Sequence, residues 1–67
     1  MRLGDSIRTL RLARKMSQEA LADAAEITRT HMGEVERGKR NVSFLSLLRI
    51  AAALRVRLAD ILIGAGL

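Results

Sequence analysis

Apolar residues recur five positions apart around one polar residue at three points of the chain. These sets are Met16 and Leu21 around Ser17, Ile27 and Met32 around Thr28, and Val42 and Leu47 around Ser43. A hydroxyl side chain can satisfy free amide groups in the first turn of a helix, and the flanking apolar residues then clamp the entering chain. The pattern therefore predicts three strong helix starts. Val56 and Ile61 repeat it around Arg57, a poor cap, and predict a weaker start.

An earlier helix is indicated by Leu3, Ile7 and Leu10, which keep helical spacing. Together these signals predict helices over residues 4–15, 18–25, 29–37, 44–54 and 58–63. Gly38 is well placed to end the third helix, because glycine readily adopts the left-handed conformation that follows many helices. The sequence has no linker or low-complexity tract, so we expect one compact all-α domain over residues 1–67.

The composition fits a helical fold and offers little for catalysis. Apolar residues make up 49% of the chain and are almost all aliphatic, with Phe44 the only aromatic residue, whereas sheets favour aromatic and β-branched residues. With no cysteine and one histidine, neither disulfide bonds nor a metal site is expected. No spacing typical of a nucleophile and base, a metal site or a phosphate loop occurs, so we expect no enzymatic activity and no cofactor. The lack of cysteine also fits a cytoplasmic protein.

The net charge of +5 predicts an anionic partner, either nucleic acid or a membrane surface. Charged residues interrupt the apolar stretch over residues 44–67, which falls short of the roughly 20 apolar residues that span a bilayer. The charges sum to +4 over residues 1–16, −4 over residues 17–36 and +6 over residues 37–57. This alternation is compatible with a basic face built from two separated segments. We therefore favour nucleic acid, and expect neither membrane binding nor a small-molecule ligand.

Residues 18–37 have the pattern of a helix-turn-helix. Two short predicted helices are joined by a turn centred on Glu26, and the small Ala22 suits the point where they cross. Apolar residues between them would form the wedge to the core: Leu21, Ala25, Ile27, Met32 and Val35. One side of the second helix is then left to enter a DNA major groove. Spacing alone fits any helical hairpin equally well.

Four strings of the sequence resemble the Cro/repressor-like (XRE) helix-turn-helix family: residues 17–22 (SQEALA), 28–35 (TRTHMGEV), 36–40 (ERGKR) and 48–54 (LRIAAAL). The resemblance covers about residues 4–63. It implies a five-helix, lambda-repressor-like DNA-binding domain with the helix-turn-helix at helices 2 and 3. Within the family, residues 29–32 (RTHM) and the residues at 36–37 and 40–41 are most similar to small controller proteins of restriction–modification systems.

The resemblance also implies roles for individual residues. Those expected at base edges are Arg29, Thr30, Gly33, Glu34 and Arg40. Those expected at phosphates are Gln18, His31, Arg37, Lys39 and Asn41. Arg11 and Glu36 match a pair that forms an internal salt bridge in the family. Simpler readings stay open: Arg29 could touch only phosphate, Glu34 could pair with Arg37 one turn on, and residues 39–41 could be a solvated basic loop.

Three residues depart from the family pattern. Lys15, Glu26 and Arg55 stand where the family usually has glycine or asparagine in a left-handed turn. A residue with a side chain costs about 1 kcal/mol there. We expect either strain or adjusted turns, and no effect on groove-facing positions.

A homodimer is expected because one short domain reads little DNA, whereas two related copies read half-sites about 34 Å apart in a near-palindromic operator. The predicted interface residues are Val56, Leu62 and Ile63, with Leu58 and Ile61 facing the core. The leading hypothesis is a sequence-specific transcriptional regulator. The alternative is a protein-interaction module such as an antitoxin or anti-repressor, which would use the same apolar surface.

Overall fold

The computed structural model describes residues 2–39 and 41–66, and this part of the chain forms five α-helices and no strand. The helices are α1 (Arg2–Ala13), α2 (Gln18–Ala25), α3 (Arg29–Glu36), α4 (Phe44–Leu54) and α5 (Leu58–Gly64). The all-α architecture predicted from the sequence is confirmed. None of the helices in the described residues is both long enough and apolar enough to cross a membrane.

Hydroxyl side chains cap the three helices that the sequence marked most strongly. The oxygens of Ser17, Thr28 and Ser43 each accept a hydrogen bond from the amide three residues later, at 3.0–3.1 Å. At the weaker start, the bond runs in the opposite direction along the chain. The Asp60 carboxylate, three residues later, accepts a hydrogen bond from the Arg57 N–H at 2.9 Å. This charge-assisted bond stabilises the start of α5 although Arg57 is a poor cap.

The first helix begins and ends two residues earlier than predicted. Its early end has a local cause, because Lys15 adopts a left-handed φ of 56° and the Met16 N–H turns back to the Arg11 carbonyl. Glu26 and Arg55 end α2 and α4 in the same left-handed conformation, with φ of 60° and 58°. The three turns therefore keep the left-handed geometry expected from the family pattern, although none of them has glycine.

The core receives large apolar side chains from every helix. The fully buried ones are Ile7, Leu21, Met32, Ile50, Leu54 and Ile61. Helix α2 packs against α3 and α4, whereas α1 packs against α3 and α5. Burying each such side chain stabilises the fold by roughly 1.5–3 kcal/mol.

The C-terminal apolar residues divide between the core and the surface. Ile61 is fully buried, as expected. Val56, Leu58 and Leu62 are half-buried and pack against the core, so two of the three predicted interface residues already have partners within the domain. Ile63 is 69% exposed. Helix α5 is also tied to α1 by the Ser6 hydroxyl, which donates to the Ile61 carbonyl at 2.8 Å.

Candidate nucleic-acid interface

The exposed side of α3 lines a shallow groove of about 260 Å³, which we call the α3 groove. Its lining residues are Gln18, Arg29, Thr30, Gly33 and Arg37. Arg29 and Thr30 are exposed in the first turn of α3, directly after the Thr28 cap. Five of the residues that the sequence marked as DNA contacts are therefore adjacent on one surface.

The glycine in the middle of α3 is covered by an arginine one turn later. A Cβ atom at Gly33 would lie 3.1 Å from Nη1 of Arg37, and Gly33 itself is buried. A glycine in the middle of a helix often allows another group to come close to the helix. Here that group is the side chain of Arg37, at the end of the same helix. Arg37 lies flat along α3 and lines the α3 groove.

A buried ion pair joins the first and third helices. Arg11 Nε donates to Glu36 Oε2 at 2.7 Å and Arg11 Nη2 donates to Oε1 at 3.0 Å. The two side chains are only 9% and 2% exposed. Arg11 Nη1 also donates to the Met16 carbonyl at 2.9 Å, just before α2. This network fixes α1, the start of α2 and the end of α3 relative to one another.

Gln18 belongs to the same network. Its Nε2 donates to Glu36 Oε1 at 3.1 Å, which links the first residue of α2 to the last residue of α3. A carboxamide nitrogen carries two N–H donors. One donor holds α3 in position, and a second donor is left on a half-buried side chain at the edge of the α3 groove.

A second groove of about 480 Å³ adjoins the first, and we call it the α1–α3 groove. It shares Gln18 and Arg37 with the α3 groove, and its lining residues are Asp5, Arg8, Gln18, Glu36, Arg37 and Lys39. Sequence reasoning missed Arg8 and Asp5. The spacing of α1 holds the signal that could have found Arg8, because it lies one turn before Arg11, the residue predicted to reach α3.

The remaining predicted contacts lie elsewhere or outside the described residues. His31 and Glu34 are half-buried, and neither lines the two grooves. Lys39 is exposed and lines the α1–α3 groove, and Asn41 is exposed two residues later. Arg40 is not among the described residues. Within the part of the chain that the structure covers, no cluster of His, Asp and Glu could hold a metal ion.

The two grooves together form a cationic surface. Four basic side chains line them, namely Arg8, Arg29, Arg37 and Lys39. The acidic side chains there are Asp5 and Glu36, and Glu36 is neutralised by Arg11. Arginine can bind a carboxylate, a phosphate or a guanine edge through two parallel hydrogen bonds. The surface is therefore suited to a polyanion that offers both phosphate groups and hydrogen-bonding base edges.

Comparisons with known proteins agree with this architecture. A family model described as "Helix-turn-helix" matches residues 7–61. Control protein C.BamHI from Bacillus amyloliquefaciens is 42% identical over 60 residues, which cover 88% of this chain and 74% of that protein. Control protein C.SmaI from Serratia marcescens is 37% identical over 65 residues, covering 97% and 77%.

A solved structure is similar over the same region. The restriction-modification controller protein C.AhdI from Aeromonas hydrophila superimposes with a TM-score of 0.88 at 40% identity, covering 90% of this chain and 91% of that one. The fold, the sequence motifs and these likenesses agree. This chain belongs to the Cro/repressor-like (XRE-type) helix-turn-helix family of transcriptional regulators, and within that family its relatives include the restriction–modification controller proteins.

Proposed function

We propose that this protein is a controller-type transcriptional regulator that binds duplex DNA sequence-specifically, as a cytoplasmic homodimer on a near-palindromic operator. The observation that carries the proposal is the α3 groove, where exposed hydrogen-bonding side chains lie along one helix beside a cationic groove. The names of the relatives, which are control proteins of restriction–modification systems, support the regulatory role.

Base reading is assigned to the first turns of α3. Side chains near the start of a recognition helix reach base edges in the major groove. Arg29 can donate two hydrogen bonds to guanine, and Thr30 can use its hydroxyl or methyl group. The Arg37 side chain covers Gly33 in the free protein. When Arg37 swings out to a DNA phosphate, the missing side chain of Gly33 allows the bases to come close to α3. Glu34 and Arg40 are proposed as further base contacts, Glu34 through cytosine N4.

Phosphate contacts border this reading surface. Gln18 and Arg37 line both grooves, and Lys39 lines the α1–α3 groove with them. We assign phosphate contacts to the second N–H of Gln18, the guanidinium of Arg37 and the ammonium of Lys39, because hydrogen bonds to phosphates fix the register of a protein on duplex DNA without reading sequence. His31 and Asn41 are proposed as additional phosphate contacts.

The size of the domain favours two copies on the DNA. Its Cα extents are 25 × 23 × 20 Å, which is less than the ~34 Å between successive major grooves on one face of the duplex. One copy therefore reads one half-site.

Exposed apolar side chains offer an interface: Phe44 (68% exposed), Leu45 (57%) and Leu48 (40%) on α4, and Ile63 (69%) on α5. Apolar patches of this kind commonly mark association surfaces. We propose that Val56 and Leu62, which are half-buried, complete its edge.

Two substitutions test the assignment of roles. Arg29→Ala should cost about 1–3 kcal/mol on the preferred duplex and relax specificity at one base position. Lys39→Ala should weaken binding to every duplex alike and reduce the salt slope by about one. Equal losses on preferred and random duplexes for both variants would refute the division between reading and backbone contacts. Failure of the unmodified protein to retard any duplex at moderate salt would instead favour a protein-interaction module.

The association state is tested separately by sedimentation. The proposed homodimer predicts dimers at tens of micromolar in the absence of DNA. Monomers at that concentration would contradict the proposed interface.

A further inference from the structure

We infer that the α1–α3 groove is a phosphate-binding site and that Arg8 of α1, outside the helix-turn-helix, is its principal ligand. This inference rests on the proposed function, because the phosphate would belong to the backbone of the bound duplex. It assigns a DNA contact to α1, a helix whose roles described so far are packing, the Ser6 hydrogen bond to α5 and the buried pair of Arg11 with Glu36.

The charge of the α1–α3 groove favours an anion. Three basic side chains line it, namely Arg8, Arg37 and Lys39, against the carboxylates of Asp5 and Glu36. Glu36 is already neutralised by two hydrogen bonds from Arg11. Among the described residues, no ion pair joins any of the three basic side chains to an acid. With Glu36 neutralised, three cations against the single carboxylate of Asp5 create a net positive potential that attracts an anion.

Close packing of α1 against α3 holds Arg8 beside the groove. Gly4, Arg8 and Arg11 follow one another at helical spacing and share one side of α1. Gly4 contacts the backbone at the end of α3, where an added Cβ would lie 2.6 Å from the Glu36 carbonyl oxygen. Arg11 contacts the Glu36 side chain. Arg8, between two fixed contacts, is therefore held at the edge of α3 with its side chain exposed.

The α1–α3 groove lies next to the proposed base-reading surface. It shares Gln18 and Arg37 with the α3 groove, so a duplex whose bases face α3 has its bordering backbone beside the α1–α3 groove. Phosphates flanking a major groove are the usual ligands of basic side chains next to a recognition helix. The groove's volume of about 480 Å³ accommodates a phosphate group with water.

The salt dependence of duplex binding tests this role. Each phosphate contact contributes about −0.9 to the slope of log affinity against log salt. Arg8→Gln should therefore bind every duplex more weakly and lose about 0.9 of slope. The affinity ratio of wild type to Arg8→Gln should shrink about 3.5-fold between about 50 and 200 mM salt. Arg8→Lys should retain most of the slope, because it keeps the charge.

Arg14→Gln is the matched control. It removes the same charge immediately after the end of α1, but the Arg14 guanidinium donates to the Arg55 carbonyl at 3.1 Å and lines neither groove. Its slope should match the wild type. If Arg8→Gln keeps the wild-type slope, or if Arg14→Gln loses as much as Arg8→Gln, the inference is overturned. A loss of thermal stability without a change of slope would identify Arg8 as a purely structural partner of the negative end of α3.

Inorganic phosphate distinguishes this inference from the proposed function. Titration of phosphate, followed by the ¹⁵N shifts of arginine side chains, should perturb Arg8 Nε more than Arg14 Nε at low salt. If the wild type binds no duplex but Arg8 responds to phosphate, the proposed function fails and the groove is a site for free phosphate. If the wild type binds duplexes, but Arg8→Gln keeps the wild-type salt slope and phosphate does not shift Arg8 Nε, the proposed function stands and this inference fails.

Discussion

Replacing Arg11 with methionine perturbs the buried network that joins the first three helices. Arg11 contacts both oxygens of Glu36, at 2.7 and 3.0 Å, and the pair is almost completely removed from solvent. After the substitution Glu36 keeps one hydrogen-bond partner, the Gln18 amide. Removing one partner of a buried pair costs about 3–5 kcal/mol, because the remaining charge is buried without compensation.

That cost is large for a domain of this size. At roughly 0.05–0.15 kcal/mol per residue, 67 residues correspond to about 3–10 kcal/mol of unfolding free energy. Arg11→Met should therefore shift the urea midpoint strongly or leave the chain largely unfolded. The chain has no tryptophan or tyrosine, so far-ultraviolet circular dichroism is the suitable probe. One fixed protein concentration is needed, because dimerisation would add to the apparent stability.

Two further variants identify the cause of the loss. Arg14→Met removes an exposed arginine that follows the end of α1 and should change stability by no more than about 0.5 kcal/mol. The double variant Arg11→Met/Glu36→Leu removes both charges and should recover most of the loss, because apolar replacements of buried pairs are often near neutral. A cost below about 1 kcal/mol for Arg11→Met would refute this reasoning. A double variant as unstable as the sum of the two single ones would refute it equally.

Two remaining predictions concern helix ends. The Arg57 N–H donates to Asp60, which lowers the pKa of that carboxyl below its ordinary value. The contribution of ionised Asp60 to the unfolding free energy is therefore complete above the ordinary pKa of aspartate. It is lost as the pH falls through the lowered pKa. Asp60→Asn should therefore flatten that part of the acid-unfolding curve, and an unaltered curve would contradict the cap. Glu26→Gly should raise the unfolding free energy by up to about 1 kcal/mol in urea titrations, because glycine tolerates the left-handed φ of 60°, although its unfolded chain is freer. Glu26→Ala removes the same charge but keeps the Cβ atom, and an equal gain there would argue against strain.

The helix starts could be predicted because their determinants are local. Ser17, Thr28 and Ser43 each act on an amide three residues away, so the sequence contains the whole interaction. The end of α1 could not be placed by the same reasoning. Lysine is a good helix former, and the periodicity of α1 gives no sign that Lys15 is left-handed.

The candidate site could be predicted only where it coincides with the motif. Arg29 and Thr30 follow a helix cap and are exposed by the geometry of a first turn. Arg8 lies outside the motif, and its proximity to α3 depends on the close packing of Gly4 against the α3 backbone. That contact joins residues more than thirty positions apart, so the only local indication of Arg8 is its spacing of one turn from Arg11.

Sequence reasoning missed the exposed apolar surface of α4. The buried residues of Phe44–Leu54 are Leu47, Ile50, Ala51 and Leu54, which follow the i, i+3, i+4, i+7 spacing of an amphipathic helix, so periodicity does indicate the side that packs inward. In the fold, Leu47, Ile50 and Leu54 face the core, which leaves Phe44 and Leu45 exposed. Helix α4 packs most extensively against α2.

Selection of bound sequences from a random duplex pool tests whether two copies of α3 read specific bases in duplex DNA. A near-palindrome with half-site centres about one helical turn apart should be enriched, and one enriched position in each half-site should be lost when the selection is repeated with Arg29→Ala. A pool that stays random, or an enriched sequence that Arg29→Ala leaves unchanged, would contradict base reading by α3.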